Sequence, residues 1–340
     1  MIPRSLVAQQ GEPWQQQLAT AVTDPAELLS LLDLDLDLAD AAARADRLFA
    51  LRVPHSFIRR MRRGDADDPL LRQVLPLDAE CRQVPGFTTD PLQEKDVMPV
   101  PGLLHKYQGR ALLTLTGACA VHCRYCFRRH FPYTEANPAR GTWRQTLDWL
   151  SGNAGIREII LSGGDPLSVS DRRLAELVQA LDAIPHLQRL RLHTRLPVVI
   201  PDRVDARLLQ WLAHTRMQTI VVLHINHANE IDDSLRLATE RLTQAGAMLL
   251  NQAVLLKGVN DSESILAELS ETLFAAGVLP YYLHQLDPVE GAAHFAVDDR
   301  RALALHEALA ARLPGYLVPR LVRELAGRPG KTPLAASLKQ

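Results

Sequence analysis

From Arg110 onward the chain alternates between short apolar runs, many of them β-branched, and longer helix-like stretches. The runs fall at 111–116 (ALLTLT), 157–162 (REIILS), 188–194 (QRLRLHT), 218–224 (QTIVVLH), 248–256 (MLLNQAVLL) and 280–286 (PYYLHQL). The helix-like stretches between them are 142–151, 171–183, 203–213, 232–245 and 262–276. Six strands alternating with helices predict right-handed βαβ units and a parallel sheet, either as a barrel or as an open doubly wound sheet. Polar and ionisable residues gather just after the runs, in GAC, SGGDP, HTR, HINHANE and HQLDP. In barrel-type α/β folds that rim is where chemistry sits.

Upstream the pattern differs. TDPAELLSLL offers Asp24 as N-cap, Pro25 at the first helical position and Glu27 three residues after the cap. AAARADRLFALRV and SFIRRMRR continue in helical style, whereas 85–109 is rich in Pro and Gly and reads as an extended connector. The expected organisation is therefore a helical region at 1–84, a connector at 85–109, the α/β unit at 110–290 and a C-terminal segment at 291–340.

Composition narrows the class. With 47% apolar and 23% charged residues the 340-residue chain is an ordinary soluble protein. A net charge of -1 gives no basic field, so nucleic acid is not the expected partner. The opening MIPRSLVAQQGEPW has no apolar core after Arg4, and runs such as TIVVL are too short to span a bilayer. A cytoplasmic location is expected, and three of four cysteines crowded into eight residues suit metal or redox chemistry there.

Those three, Cys119, Cys123 and Cys126, lie in GACAVHCRYCFRRHF directly after the first run. Spaced at i, i+4 and i+7, they could share a helix face as small buried hydrophobes. Zinc would need a fourth ligand, His122 or His130. An iron–sulfur cluster suits a run of thiolates alone, with nearby cations lowering thiol pKa. Cys81, far upstream, reads as a spare buried thiol. Three thiolates on four irons leave one iron open to a ligand. Near the other end stands AGRPGKTP, two residues short of a nucleotide phosphate loop. Lys331 there reads either as a solvated lysine or, with Gly327 and Gly330 permitting close backbone approach, as an amine for pyridoxal phosphate.

C-x-x-x-C-x-x-C after the first strand resembles the radical S-adenosylmethionine superfamily. The resemblance implies a partial (β/α)6 TIM-like barrel with an N-terminal helical region and a short C-terminal segment. It also implies a [4Fe-4S] cluster on the three cysteines and S-adenosylmethionine at the open iron. Tyr125 would then pack on the adenosine, and Gly163, Gly164 and Asp165 would contact the methionine end.

Over residues 85–335 the strings VPGLLHKY, LSGGDPL, RLPVVIP, HINHANEI, LLNQAVLLKGVND, PYYLHQLD and GAAHF are similar to the lysine 2,3-aminomutases. These enzymes use pyridoxal 5'-phosphate as well as S-adenosylmethionine. By that match Lys331 falls on the pyridoxal lysine and Arg128 on the arginine that holds the substrate carboxylate. Asp287 and, with a longer arm than usual, Glu324 fall on the acids that hold the far amino group. Lys106 and Arg110 match cations near the cofactor phosphate; His224, Asn226 and Gln252 match S-adenosylmethionine contacts.

The implied activity turns free L-α-lysine into (R)-β-lysine, with electrons from an external donor. The N-terminal strings and the short end resemble a branch whose β-lysine is attached to elongation factor P by a separate ligase. A catabolic or biosynthetic lysine aminomutase is the rival within the family, and a zinc-stabilised binding module the rival outside it. A homo-oligomer is compatible with either.

Overall fold

The computed structural model describes residues 13–133 and 143–337. Residues 1–12, on which the expectation about a leader rests, lie outside the described part, as does Thr142 at the start of one expected helix. Among the described residues nine strands form one sheet: β1 Leu103–Tyr107, β2 Arg110–Thr114, β3 Glu158–Ser162, β4 Arg189–Thr194, β5 Gln218–Leu223, β6 Met248–Val254, β7 Leu279–His284, β8 Arg320–Arg323 and β9 Thr332–Pro333. Their order in the sheet is their order in the chain. β2 to β8 pair in parallel, and the edge strands β1 and β9 pair antiparallel. A doubly wound sheet reverses its strand order at a switch point. This order never reverses, so the sheet is singly wound and the doubly wound alternative falls away.

The six expected runs are β2 to β7, each within a few residues. Helices Arg144–Gly152, Asp171–Asp182, Ala206–His214, Asp233–Gln244 and Glu263–Ala275 supply the crossovers. Asp171–Asp182 buries Leu174, Leu177, Val178 and Leu181, one stripe at helical spacing. Asp205, Asp232 and Ser262 cap the helices that follow them by accepting backbone N–H bonds. In β4 the period of two sends Leu190 and Leu192 into the core, while Arg191 and His193 line the inner cavity.

Three strands escaped the pattern. β1, LLHKY, lies inside the expected connector, while β8, RLVR, and the two-residue β9 lie in the C-terminal segment. The rest of the connector crosses the rim, where the Thr88 N–H donates to the Pro288 carbonyl and Glu290 donates back to Thr88, both at 2.9 Å. Among the described residues no helix is long and apolar enough to cross a membrane.

The N-terminal region packs as a layer against the cysteine loop, and its helix Pro25–Leu31 is capped by Asp24 as the sequence predicts. His122 N–H donates to Arg52 O at 3.0 Å and Arg124 N–H to Gln73 O at 2.9 Å. Glu80 in this layer pairs with Arg124 at 2.7 Å and Arg129 at 2.9 Å, all three side chains being buried. Deleting one partner of a buried ion pair leaves an uncompensated charge. Glu80→Ala is therefore expected to destabilise the protein by about 3–5 kcal/mol, read as a lowered denaturation midpoint; a midpoint like the parent's would show that the arginines find other partners.

Candidate active site

The inner face of the sheet and the loops at its C-terminal rim enclose a cavity of about 350 Å³, a size that suits small-molecule ligands. The residues matched by the resemblance to cofactor or substrate contacts all line it: the three cysteines, Tyr125, Gly163, Gly164, Asp165, Lys106, Arg110, His224, Asn226, Gln252, Arg128, Asp287, Glu324 and Lys331; His130, Gly327, Gly330 and Cys81 do not. Residues 119 to 126 come together with residue 331 because β2 and the chain after β8 both end at this rim.

At one end stand the thiols. The loop after β2 turns rather than forming a helix, so the shared helix face does not exist. Arginines do act to lower the thiol pKa, Arg128 and Arg129 at Cys126 and Arg52 at Cys119, but burial outweighs them and pushes Cys119 well up and Cys126 to about 11. Among the described residues no three His, Cys, Asp or Glu side chains converge on a single metal ion. Cys81 is exposed rather than buried.

The Gly-Gly-Asp turn after β3 is built against this loop. Gly163 has φ +120°, and a Cβ there would lie 2.7 Å from Thr116 O; at Gly164 it would lie 2.5 Å from Ala118 O. The two glycines thus let Gly164 and Asp165 donate backbone bonds to Thr116 and Ala118. The Asp165 carboxylate accepts from Leu167 N, Thr194 Oγ1, Arg195 N and Leu196 N, at 2.7 to 3.0 Å. With four donors its acceptor positions are taken, so its side chain fixes the ends of β3 and β4 relative to each other.

The tyrosine before the third cysteine projects its ring toward Phe295 and anchors its hydroxyl on Asn226 Nδ2 at 2.6 Å and Arg195 Nη1 at 2.8 Å. Asn226 is itself engaged, through Gln73 and the Val254 N–H. His224 Nε2, Gln252 Oε1 and His193 Nε2 are buried in the cavity wall without a protein partner. Burial holds His224 down to about 3, so it is neutral and one ring nitrogen can accept. His227 of HINH turns to cap its own short helix, accepting from Asn229 N.

At the other end Lys331 Nζ lies 3.1 Å from His284 Nε2, 3.3 Å from Glu324 Oε2 and 5.4 Å from the Tyr282 ring centre. Burial lowers its pKa, opposed by Glu324 and Asp287, so the amine gives up its proton more readily than that of an exposed lysine. Glu324 Oε1 also takes Lys106 Nζ at 3.0 Å. Burial works against the charge of Glu324, but Lys331 and Lys106 outweigh it and hold the carboxyl well below its usual range. Arg110 stacks over Tyr107 at 4.5 Å from the ring centre.

Between the two ends lie Arg128 and Asp287. The Arg128 guanidinium is buried beside Phe127 and forks onto Glu94. Asp287 Oδ1 is buried without a partner, and burial followed by the nearby Glu324 pushes the carboxyl up to about 7.

Four contributors were not singled out from the sequence. Arg195 and His284 sit in HTR and HQLDP, which the strand-end clustering marks without choosing a residue. Arg195 donates to Cys123 Sγ and Tyr125 Oη, both at 2.8 Å, and pairs with buried Glu230 at 2.9 Å. His193 is the inward residue of β4. Glu94 comes from the connector, where aperiodic sequence gave no signal.

No family model matches the chain. Full-length relatives do. The chain is 53% identical over 330 residues to the L-lysine 2,3-aminomutase of Escherichia coli (strain K12), spanning 97% of this chain and 96% of the relative. It is 49% identical over 332 residues to the L-lysine 2,3-aminomutase of Haemophilus influenzae, spanning 98% of each. Among solved structures, a radical SAM methyltransferase from Sphaerobacter thermophilus aligns with TM-score 0.45 and 18% identity over 65% of this chain and 68% of its own.

Proposed function

The chain belongs to the L-lysine 2,3-aminomutase family, and from that premise we propose that it is an isomerase converting L-α-lysine into (R)-β-lysine. One observation carries the proposal: a single cavity brings three thiols, a buried lysine amine, an arginine fork and an unpartnered carboxyl within reach of one small molecule.

The residues present fit the groups this chemistry needs. Cys119, Cys123 and Cys126 would hold a [4Fe-4S] cluster. Tyr125, His224 and Gln252, the latter two with orphaned polar atoms, line the position for S-adenosylmethionine, with Asn226 and the Gly163–Gly164 backbone shaping it. Lys331 would hold pyridoxal phosphate and Arg110 its phosphate. When bound, the cluster with S-adenosylmethionine supplies removal of an unactivated hydrogen, and pyridoxal phosphate supplies the delocalisation that lets an amino nitrogen migrate.

The chain's own task is to bind and orient lysine. Arg128 offers its remaining donors to the α-carboxylate, and Asp287 offers a charged oxygen to the ε-ammonium. Glu324 keeps Lys106 on one oxygen, and where Lys331 holds pyridoxal phosphate its other oxygen would be free to face a second cation. A clamp at both ends fixes which hydrogen faces the thiol end of the cavity, and misplacement by about 1 Å can cost roughly a hundredfold in rate.

The Asp287 carboxyl gives this clamp a pH dependence. Below about 7 it is protonated in the substrate-free enzyme, while a lysine ammonium stays charged to about pH 10. The charged form is the one that pairs, so kcat/KM is expected to rise about tenfold per pH unit up to about 7 and then level off. Asp287→Asn should flatten that limb; a limb that persists would assign it elsewhere.

We place the product in the modification of elongation factor P, on the strength of the N-terminal strings and CRYCFRRHFPY. Two assays test the whole reading. Reconstituted protein with lysine, S-adenosylmethionine and a reductant should yield β-lysine by chromatography, and absence of product would overturn the activity. In a strain lacking the protein, elongation factor P should lose its β-lysyl mass. An unchanged mass would favour the catabolic or biosynthetic alternative.

A further inference from the structure

Glu94 belongs to neither end of the cavity, yet it touches the groups that link them. It opens the helical turn Glu94–Val97, follows Gln93 at φ +50°, and is 3% exposed. Its Oε2 accepts from Arg128 Nε at 2.7 Å and its Oε1 from Arg128 Nη2 at 2.8 Å. The same Oε1 lies 3.0 Å from Lys106 Nζ, which reaches Glu324 and through it Lys331. Buried charges thus alternate in sign from Arg128 to Lys331. Burial alone would raise the Glu94 carboxyl; Arg128 and Lys106 hold it below its usual value, as an anion.

The donor count shows what this pairing does. A guanidinium has five N–H donors in a rigid plane. Glu94 takes two along the Nε–Nη2 edge, and Ser162 Oγ, 3.3 Å from Nη1, takes a third. One donor is left on each terminal nitrogen, the pair that a second carboxylate can grip bidentately. Both Glu94 oxygens are already occupied, so it is no ligand itself.

We infer that Glu94 is a positioning residue for substrate selection: it locks the Arg128 plane so that its free end recognises an α-carboxylate. The inference rests on the aminomutase reading. It predicts a loss that depends on the ligand's carboxylate, which a merely structural role would not produce.

The test is equilibrium binding of lysine and of cadaverine, its carboxyl-free analogue, to the pyridoxal-phosphate-loaded enzyme, followed by cofactor absorption. The parent should prefer lysine. Glu94→Gln should weaken lysine by about tenfold or more, the scale of one charge-assisted hydrogen bond, and leave cadaverine within about twofold. Glu94→Asp, which keeps the charge on a shorter arm, should recover part of the preference. Equal weakening of both ligands in Glu94→Gln, or no change in either, would overturn the assignment. So would a Glu94→Asp protein that binds cofactor normally but discriminates no better than Glu94→Gln. A parent that does not prefer lysine would instead remove the premise about Arg128, and the inference with it.

Discussion

Lys331→Ala is expected to yield folded protein that loses pyridoxal phosphate on desalting and forms β-lysine at least about a thousandfold more slowly. In the proposed reading the side chain supplies the amine that anchors the cofactor, and its surroundings suit that use. Burial lowers its pKa, and the neutral His284 ring and Glu324 hold it at 3.1 and 3.3 Å. Removing it leaves Glu324 paired with Lys106, so the site loses a nucleophile without gaining a stranded carboxylate. Lys331→Arg separates charge from chemistry: it restores a cation but no usable nucleophile, and it should fail equally. If Lys331→Ala kept the cofactor's absorption as tightly as the parent, the anchor would have to be another group.

Cys126→Ala should be as severe, with iron falling far below the roughly four per chain of a cubane cluster and no β-lysine formed. The three thiols come from one short loop closed by a backbone bond from Cys126 N–H to Cys123 O at 3.0 Å. Two of them cannot supply the three-point mount. Nor can the fourth cysteine replace the lost one, because Cys81 is exposed and does not line the cavity. Cys81→Ala, prepared alongside, should load iron as the parent does. Full iron in Cys126→Ala would remove this thiol from the mount.

The sequence carried most of this architecture because two kinds of signal were strong. Apolar runs separated by helix-like stretches located β2 to β7, each buried on at least one face. The cysteine spacing and the residues after the strands located the cavity's rim. What escaped is equally physical. β1 and β8 are short and half polar, since Lys106, Tyr107 and Arg323 face other groups rather than the core, so neither reads as an apolar run. Glu94 lies where Pro and Gly suppress periodicity, and its importance comes from Arg128, 34 residues away in the chain. The arginines around the cysteines could be counted from sequence, but their orientation toward Glu80 depends on how the N-terminal layer docks.

That docking has a consequence for how the enzyme matures. Glu80, Phe49 and Arg52 grip the cysteine loop from outside while the thiols face inward. By mass action, a cluster that binds only the ordered loop stabilises the layer gripping it, and the layer in turn raises affinity for iron. Cluster loss and melting of the N-terminal helices should then be one cooperative event. Air or chelator would loosen a part of the protein that never touches a metal, and a protease cutting in those helices would report on the cluster's presence.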